Sequence, residues 1–171
     1  IGELNIYSCY SFQNSTILIK DLCKRAHDLH LEAIALTDIN NMYGAVEFSN
    51  ECHKYDIKPI FGMQGNVNVE GEIYPFLLLA KDQVGYHDLM KICSDINLSD
   101  QKAIDLEKLR LYHEHLFILS GCKEGIVERC VLKELESEAL RYMALFKEMF
   151  KDNYYICLQD HGIQMQKHLN E

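Results

Sequence analysis

With 171 residues, 48% of them hydrophobic and 25% charged, the chain is one domain, or most of one, with a real core. Its formal net charge of −9 argues against a protein that grips nucleic-acid phosphates by its own field, and its longest apolar run, around Pro75–Ala80, is far too short to cross a bilayer. Seven cysteines, scattered at 9, 23, 52, 93, 122, 130 and 157 with no C-x-x-C pair, fit reduced thiols in a cytoplasmic protein better than a disulfide framework.

Leu4–Ser8 alternates weakly and reads as a first strand. Asn14, Ser15 and Thr16 offer caps for a helix through about His30, with Ile17, Leu18, Leu22, Ala26 and Leu29 as its apolar stripe. Ala33–Thr37 reads as the next strand, Gly44–Tyr55 as a helix and Ile57–Phe61 as a third strand, in which Pro59 implies a strand start or an edge. Val67–Ile73, bent at Gly71, predicts a hairpin with the buried strand Phe76–Ala80. A helix follows over Tyr86–Ile96, then a polar connector Ser99–Ala103 and a short helix Asp105–His113. Leu116–Leu119 reads as a strand. Two helices come next, about Gly125–Leu135 and Ser137–Phe150, the second with Leu140, Met143, Phe146 and Phe150 at helical spacing. Tyr154–Leu158 reads as a last strand.

Alternating strands and helices predict an α/β fold. About six strands fall short of the eight units and roughly 250 residues of a closed parallel barrel, so the expectation is an open or incomplete one. Ala33–Gln64 is a compact strand–helix–strand unit. Chemistry in such sheets sits at the C-terminal strand tips, which makes Asp38 and Gln64 the mouth of any site. Asp38 also has a plainer reading, as the cap of the following helix or the partner of Asn40 or Asn41 in a turn. The His113-Glu114-His115 triplet mimics a metal motif but precedes its strand, at the wrong end for the site, and reads as a surface turn. No G-x-S-x-G and no G-x-x-x-x-G-K stretch occurs.

The strings LNIYSCYS (4–11), LTDINNMYGAVEF (36–48), IKPIFGMQ (57–64), LLLAKDQVGYHDL (77–89), LFILSGC (116–122) and YYICLQDHG (154–162) occur in order along nearly the whole chain. Together they resemble the N-terminal PHP (polymerase and histidinol phosphatase) domain of the bacterial DNA polymerase III alpha family. The resemblance implies a distorted α/β barrel whose family domain extends past 171 residues, so the chain would be its N-terminal part. It also implies metal ligands at the strand ends, which in active members support phosphoesterase or proofreading chemistry.

This sequence departs from that ligand pattern at most positions. Asn5 and Tyr7 stand at the His-x-His positions, Asn14 at an acid and Ile39 at the histidine of TDH. Gln64 replaces a carboxylate, Pro75 a histidine and Cys157 an acid. Asp38, Cys122, Asp160 and His161 survive as candidates, with Glu47 nearby. Isoleucine and proline offer no side-chain ligand, asparagine and glutamine are weak neutral donors, and tyrosine would first have to lose its proton. The expectation is therefore a degenerate site with no catalytic residue, no metal and no cofactor in this part of the chain. The domain would serve a structural or interaction role in DNA replication, next to the remainder of a DNA-directed DNA polymerase chain that uses Mg. A proofreading subunit or other replisome proteins are the further partners implied, with direct DNA contact and membrane attachment not expected. The alternative is a Zn-, Mn- or Fe-dependent phosphoesterase or 3′–5′ exonuclease.

Overall fold

The computed structural model describes residues 3–121 and 124–158. The chain enters along an extended stretch beside the first strand. The Ala35 N–H donates to the Glu3 carbonyl and the Thr37 N–H to the Ile6 carbonyl, both at 2.8 Å. The stretch foreseen as a strand at Leu4–Ser8 lies alongside β1 but is not a strand; its one sheet contact among the described residues is an isolated Glu3–Ile34 bridge. The Ile6 N–H goes to the Thr37 hydroxyl instead of a backbone carbonyl, at 3.0 Å, which ends the ladder early.

Helix α1 (Ile19–Asp28) starts later than the capping residues suggest. Ser15 donates its hydroxyl to the Tyr7 carbonyl at 2.7 Å and Asn14 its amide to the Phe12 carbonyl at 3.0 Å, so both serve the preceding loop. The buried face is Ile19, Cys23 and Ala26, one stripe at helical spacing, while Ile17, Leu18 and Leu29 of the expected stripe are exposed.

Strand β1 (Ala33–Leu36), helix α2 (Ala45–Lys54) and strand β2 (Lys58–Val69) form the foreseen unit, with β1 and β2 parallel and Leu36 opposite Phe61. Strand β2 is longer than the sequence suggests because it serves β1 at one end and the next strand at the other, with Val67 and Asn68 also pairing a short strand that follows later in the chain. Lys58–Phe61 pairs with β1, and Gly62–Val69 pairs antiparallel with β3 (Glu72–Ala80). Pro59 fits because the Lys58 N–H points at the Glu32 carbonyl on the β1 side, at 2.9 Å. By alternation the proline nitrogen then faces the side where β3 has not yet begun to pair. The β2–β3 turn places Glu70 and Gly71 at φ of 54° and 93°, the double positive-φ geometry of a tight hairpin. Arg141 holds the Glu70 carboxylate with two bonds, at 2.8 and 3.0 Å, and the Tyr142 hydroxyl adds a third at 2.7 Å.

Helix α3 (Gln83–Leu98) is capped by the Asp82 carboxylate, which accepts the Gly85 N–H at 2.9 Å. A Cβ at Gly85 would lie 2.0 Å from the His115 carbonyl oxygen, so only glycine lets the helix pass here. Strand β4 (Ile104–Asp105) and helix α4 (Leu106–Arg110) take the place of the longer expected helix. Next come a 3₁₀ turn His113–His115, strand β5 (Leu116–Ser120), helices α5 (Ile126–Leu132) and α6 (Glu136–Phe150), and strand β6 (Tyr154–Tyr155), shorter than foreseen. Helix α6 buries Ala139, Tyr142, Phe146, Met149 and Phe150, whereas Leu140 and Met143 of the expected face are exposed.

The α/β class stands. The sheet order is β1-β2-β3-β5-β6 with β4 beside β2. The sheet is mixed, because β3 runs antiparallel to both β2 and β5. Among the described residues β1 and β6 do not meet, so the sheet stays open, as expected of an incomplete barrel. One core lies under α1, α2 and β1, around Phe48. A larger one joins β2, β3 and β5 to α3 and α6, where Phe76 meets Phe146 edge-on at 5.2 Å.

Candidate functional site at the strand tips

The parallel pair β1–β2 brings its C-terminal tips together as the sequence suggests. Ile39 and Gln64 form a parallel bridge, and the Gln64 N–H donates to the Asp38 carbonyl at 3.1 Å. Tyr7, Asp38, Ile39 and Gln64 therefore share one rim, with Asn5 below it against Thr37 (3.3 Å).

Asp38 does not cap α2, whose N-cap is Gly44. Its carboxylate turns toward the entering chain and is buried. It accepts the Ser8 N–H at 2.7 Å, the Ser8 hydroxyl at 2.7 Å and the Ser11 hydroxyl at 2.5 Å. Ser11 in turn accepts the Ile39 N–H at 3.0 Å. The turn-forming work assigned to Asp38 is done by its neighbours. Asn41 donates to the carbonyls of Tyr10 and Ile39, and the Asn40 side-chain oxygen accepts the Asn66 N–H at 3.0 Å. Beside Asp38 the free space is about 10 Å³, room for one water at most.

Tyr7 and Gln64 face one another, the tyrosine hydroxyl donating to the glutamine oxygen at 2.5 Å. Glu47 accepts the Tyr10 hydroxyl at 3.2 Å on the exposed side of α2, and that hydrogen bond, with the charge of Glu47, pushes the Tyr10 phenol up from its ordinary value. Asn14 sits in the exposed loop, its N–H donating to the Ser11 carbonyl at 2.9 Å and its side chain to the Phe12 carbonyl, so the side chain does not turn to Asp38. Pro75 lies in β3 opposite Asn66, and its carbonyl is packed so closely that a Cβ at Gly121 would meet it at 2.0 Å. Cys157 packs on the small cluster of Ala35, Leu77, Leu79 and Leu119, and its N–H donates to the Ser120 hydroxyl at 2.9 Å. Cys122, Asp160 and His161 lie outside the described residues. Among the described residues, no three His, Cys, Asp or Glu side chains converge in a way that could hold a metal ion. His115 bonds Asp82 at 2.8 Å in the exposed turn before β5, which bears out the surface reading of the His-Glu-His triplet.

The sequence matches the PHP domain family over residues 3–161. The chain belongs to that family. Among curated relatives it is similar to the DNA polymerase III alpha subunits of Borreliella burgdorferi (32% identical), Treponema pallidum (33%) and Bacillus subtilis (31%). These alignments cover 99%, 96% and 92% of this chain but only 16%, 15% and 14% of those proteins. The PHP domain described here thus spans about one sixth of the length of the relatives it matches. Among solved structures there is a looser likeness to a metal-dependent phosphoesterase from Bifidobacterium adolescentis. It has a TM-score of 0.43 and 12% identity, over 90% of this chain and 57% of that one.

Two residues that hold this rim, Ser8 and Ser11, escape a reading built on ligand types, because serine carries no charge and binds metals poorly. Their signal is the spacing YSCYS just before a loop, which puts two hydroxyls three residues apart opposite a strand-end acid.

Proposed function

We propose that this chain is a non-catalytic PHP domain, a structural and interaction unit of a bacterial replicative DNA-directed DNA polymerase. The nucleotidyl-transfer residues and their Mg ions would belong to polypeptide outside these 171 residues. The observation that carries the reading is the state of the Asp38 carboxylate. Three protein donors at 2.5–2.7 Å already surround it. A divalent cation there would have to displace those donors and would gain only one anionic ligand among the described rim residues. Ile39 offers nothing, and Tyr7 and Gln64 satisfy each other. This donor set does not fit a two- or three-ion phosphoesterase centre. Hydrogen bonds do the work that bridging ions would otherwise do, tying the entering chain to the tips of β1 and β2.

The net charge of −9 supports a protein-facing role. The remainder of the polymerase chain is the first partner, and a proofreading subunit or another replisome protein the next. Elemental analysis of the chain purified without added metal tests the proposal. The expected result is far less than one Zn, Mn or Fe per chain and no hydrolysis of a generic phosphodiester. Stoichiometric metal accompanied by hydrolysis would overturn it and favour the phosphoesterase or exonuclease alternative, with Asp38, Cys122, Asp160 and His161 as ligands.

A further inference from the structure

Cys23 on α1 and Cys52 on α2 are both fully buried, and their sulfurs lie 3.6 Å apart. Neither thiol has any part in the rim. They sit in the smaller core, between Ile19 and Ala26 on one helix and beside Phe48 on the other. We propose that Cys23 and Cys52 form a reversible oxidation site, a thiol pair that a hydroperoxide converts into a disulfide joining α1 to α2.

The two sulfurs are within hydrogen-bonding distance, and either can be the donor. The hydrogen bond with Cys52 lowers the Cys23 thiol below its ordinary value, and the same bond together with burial raises Cys52. With Cys23 attacking, Cys52 resolves; the 3.6 Å separation allows the opposite order equally. In the first step the Cys23 thiolate attacks one oxygen of the hydroperoxide. The O–O bond breaks, the departing oxide takes up a proton, and Cys23 becomes a sulfenic acid. In the second step the Cys52 sulfur attacks the Cys23 sulfur, the S–O bond breaks, and hydroxide leaves with the Cys52 proton as water. Two thiols lose two electrons and the peroxide gains two. Both sulfurs are enclosed, so local opening of α1 sets the rate.

The bridge would close a loop around β1, since the two cysteines are 29 positions apart. Such a link restricts the unfolded chain and stabilises the folded one. The test exposes the 171-residue chain to hydrogen peroxide, alkylates the remaining thiols in denaturant and maps the peptides by mass spectrometry. The expected leading product is a Cys23–Cys52 linked peptide that dithiothreitol reverses, with a melting temperature several degrees above the reduced protein. In Cys52→Ala and in Cys23→Ala the link is absent and dimedone traps a sulfenic acid at the remaining cysteine of the pair. Full alkylation of Cys23 and Cys52 while other cysteines oxidise, a link from either to a different cysteine, or a lower melting temperature after linkage would each overturn the proposal.

Discussion

Two buried carboxylates stand in opposite circumstances. Asp38, at the tip of β1, accepts three hydrogen bonds from the entering chain. Glu128, in the first turn of α5, is nearly as enclosed, yet among the described residues neither of its oxygens has a partner in good hydrogen-bond geometry, and neither does the Tyr154 hydroxyl. Burial pushes the Glu128 carboxyl above its ordinary range; the Ser120 hydroxyl lies close enough to pull the other way but does not meet the carboxylate in good hydrogen-bond geometry. Burial therefore does not by itself define what an acid does. Donors supplied by a neighbouring loop make Asp38 a structural keystone, while their absence leaves Glu128 a liability near neutral pH.

Asp38→Ala is the most severe way to break this contrast. It strands the Ser8 N–H and two hydroxyls, and the expected loss is roughly 3–5 kcal/mol in urea unfolding. A loss below about 1 kcal/mol would mean that water satisfies those donors as well as the acid does. Ser11→Ala removes one donor to Asp38 and the acceptor of the Ile39 N–H, with an expected cost of about 1–2 kcal/mol. The opposite sign is expected at the other acid, where Glu128→Gln should gain about 1 kcal/mol at pH 7.

The pH dependence sharpens the difference. A carboxyl raised by folding contributes stability below its ordinary value near 4.5, and that contribution is lost as pH rises through the folded value. Glu128 thus makes the protein lose stability on going up from about pH 4.5, and Glu128→Gln should flatten that limb. Glu70 supplies the reverse case and the smallest effect. Arg141 and Tyr142 hold it down to about 2, so its contribution is present above about 4.5 and fades as pH falls toward 2. Glu70→Gln should remove only that acid limb. Melting temperatures from pH 2 to 8 for the parent and both variants check all of these signs.

The elements were legible wherever apolar periodicity and length agreed. The βαβ unit, the Gly71 hairpin and the buried strand before α3 follow from alternation and turn chemistry alone. The faces of α1 and α6 were not, because apolar residues occur on more than one side of each helix. Leu140 and Met143 fit helical spacing as well as Ala139 and Tyr142 do, and only packing on the sheet chooses between the pairs. The meeting of Asp38 with Gln64 could be foreseen from strand ends. That Asp38 bonds Ser8 and Ser11, 30 and 27 positions away, could not, since it depends on how the N-terminal stretch lies against β1.

Strand β2 carries one further consequence. Its first four residues bond β1 and its last eight bond β3, and each half borders a different core. Neither half of the molecule can come apart without tearing the same rod of backbone. A melt followed by separate probes on the two sides, such as exchange at Ile34 amides and at Leu78 amides, should therefore superimpose as a single cooperative event.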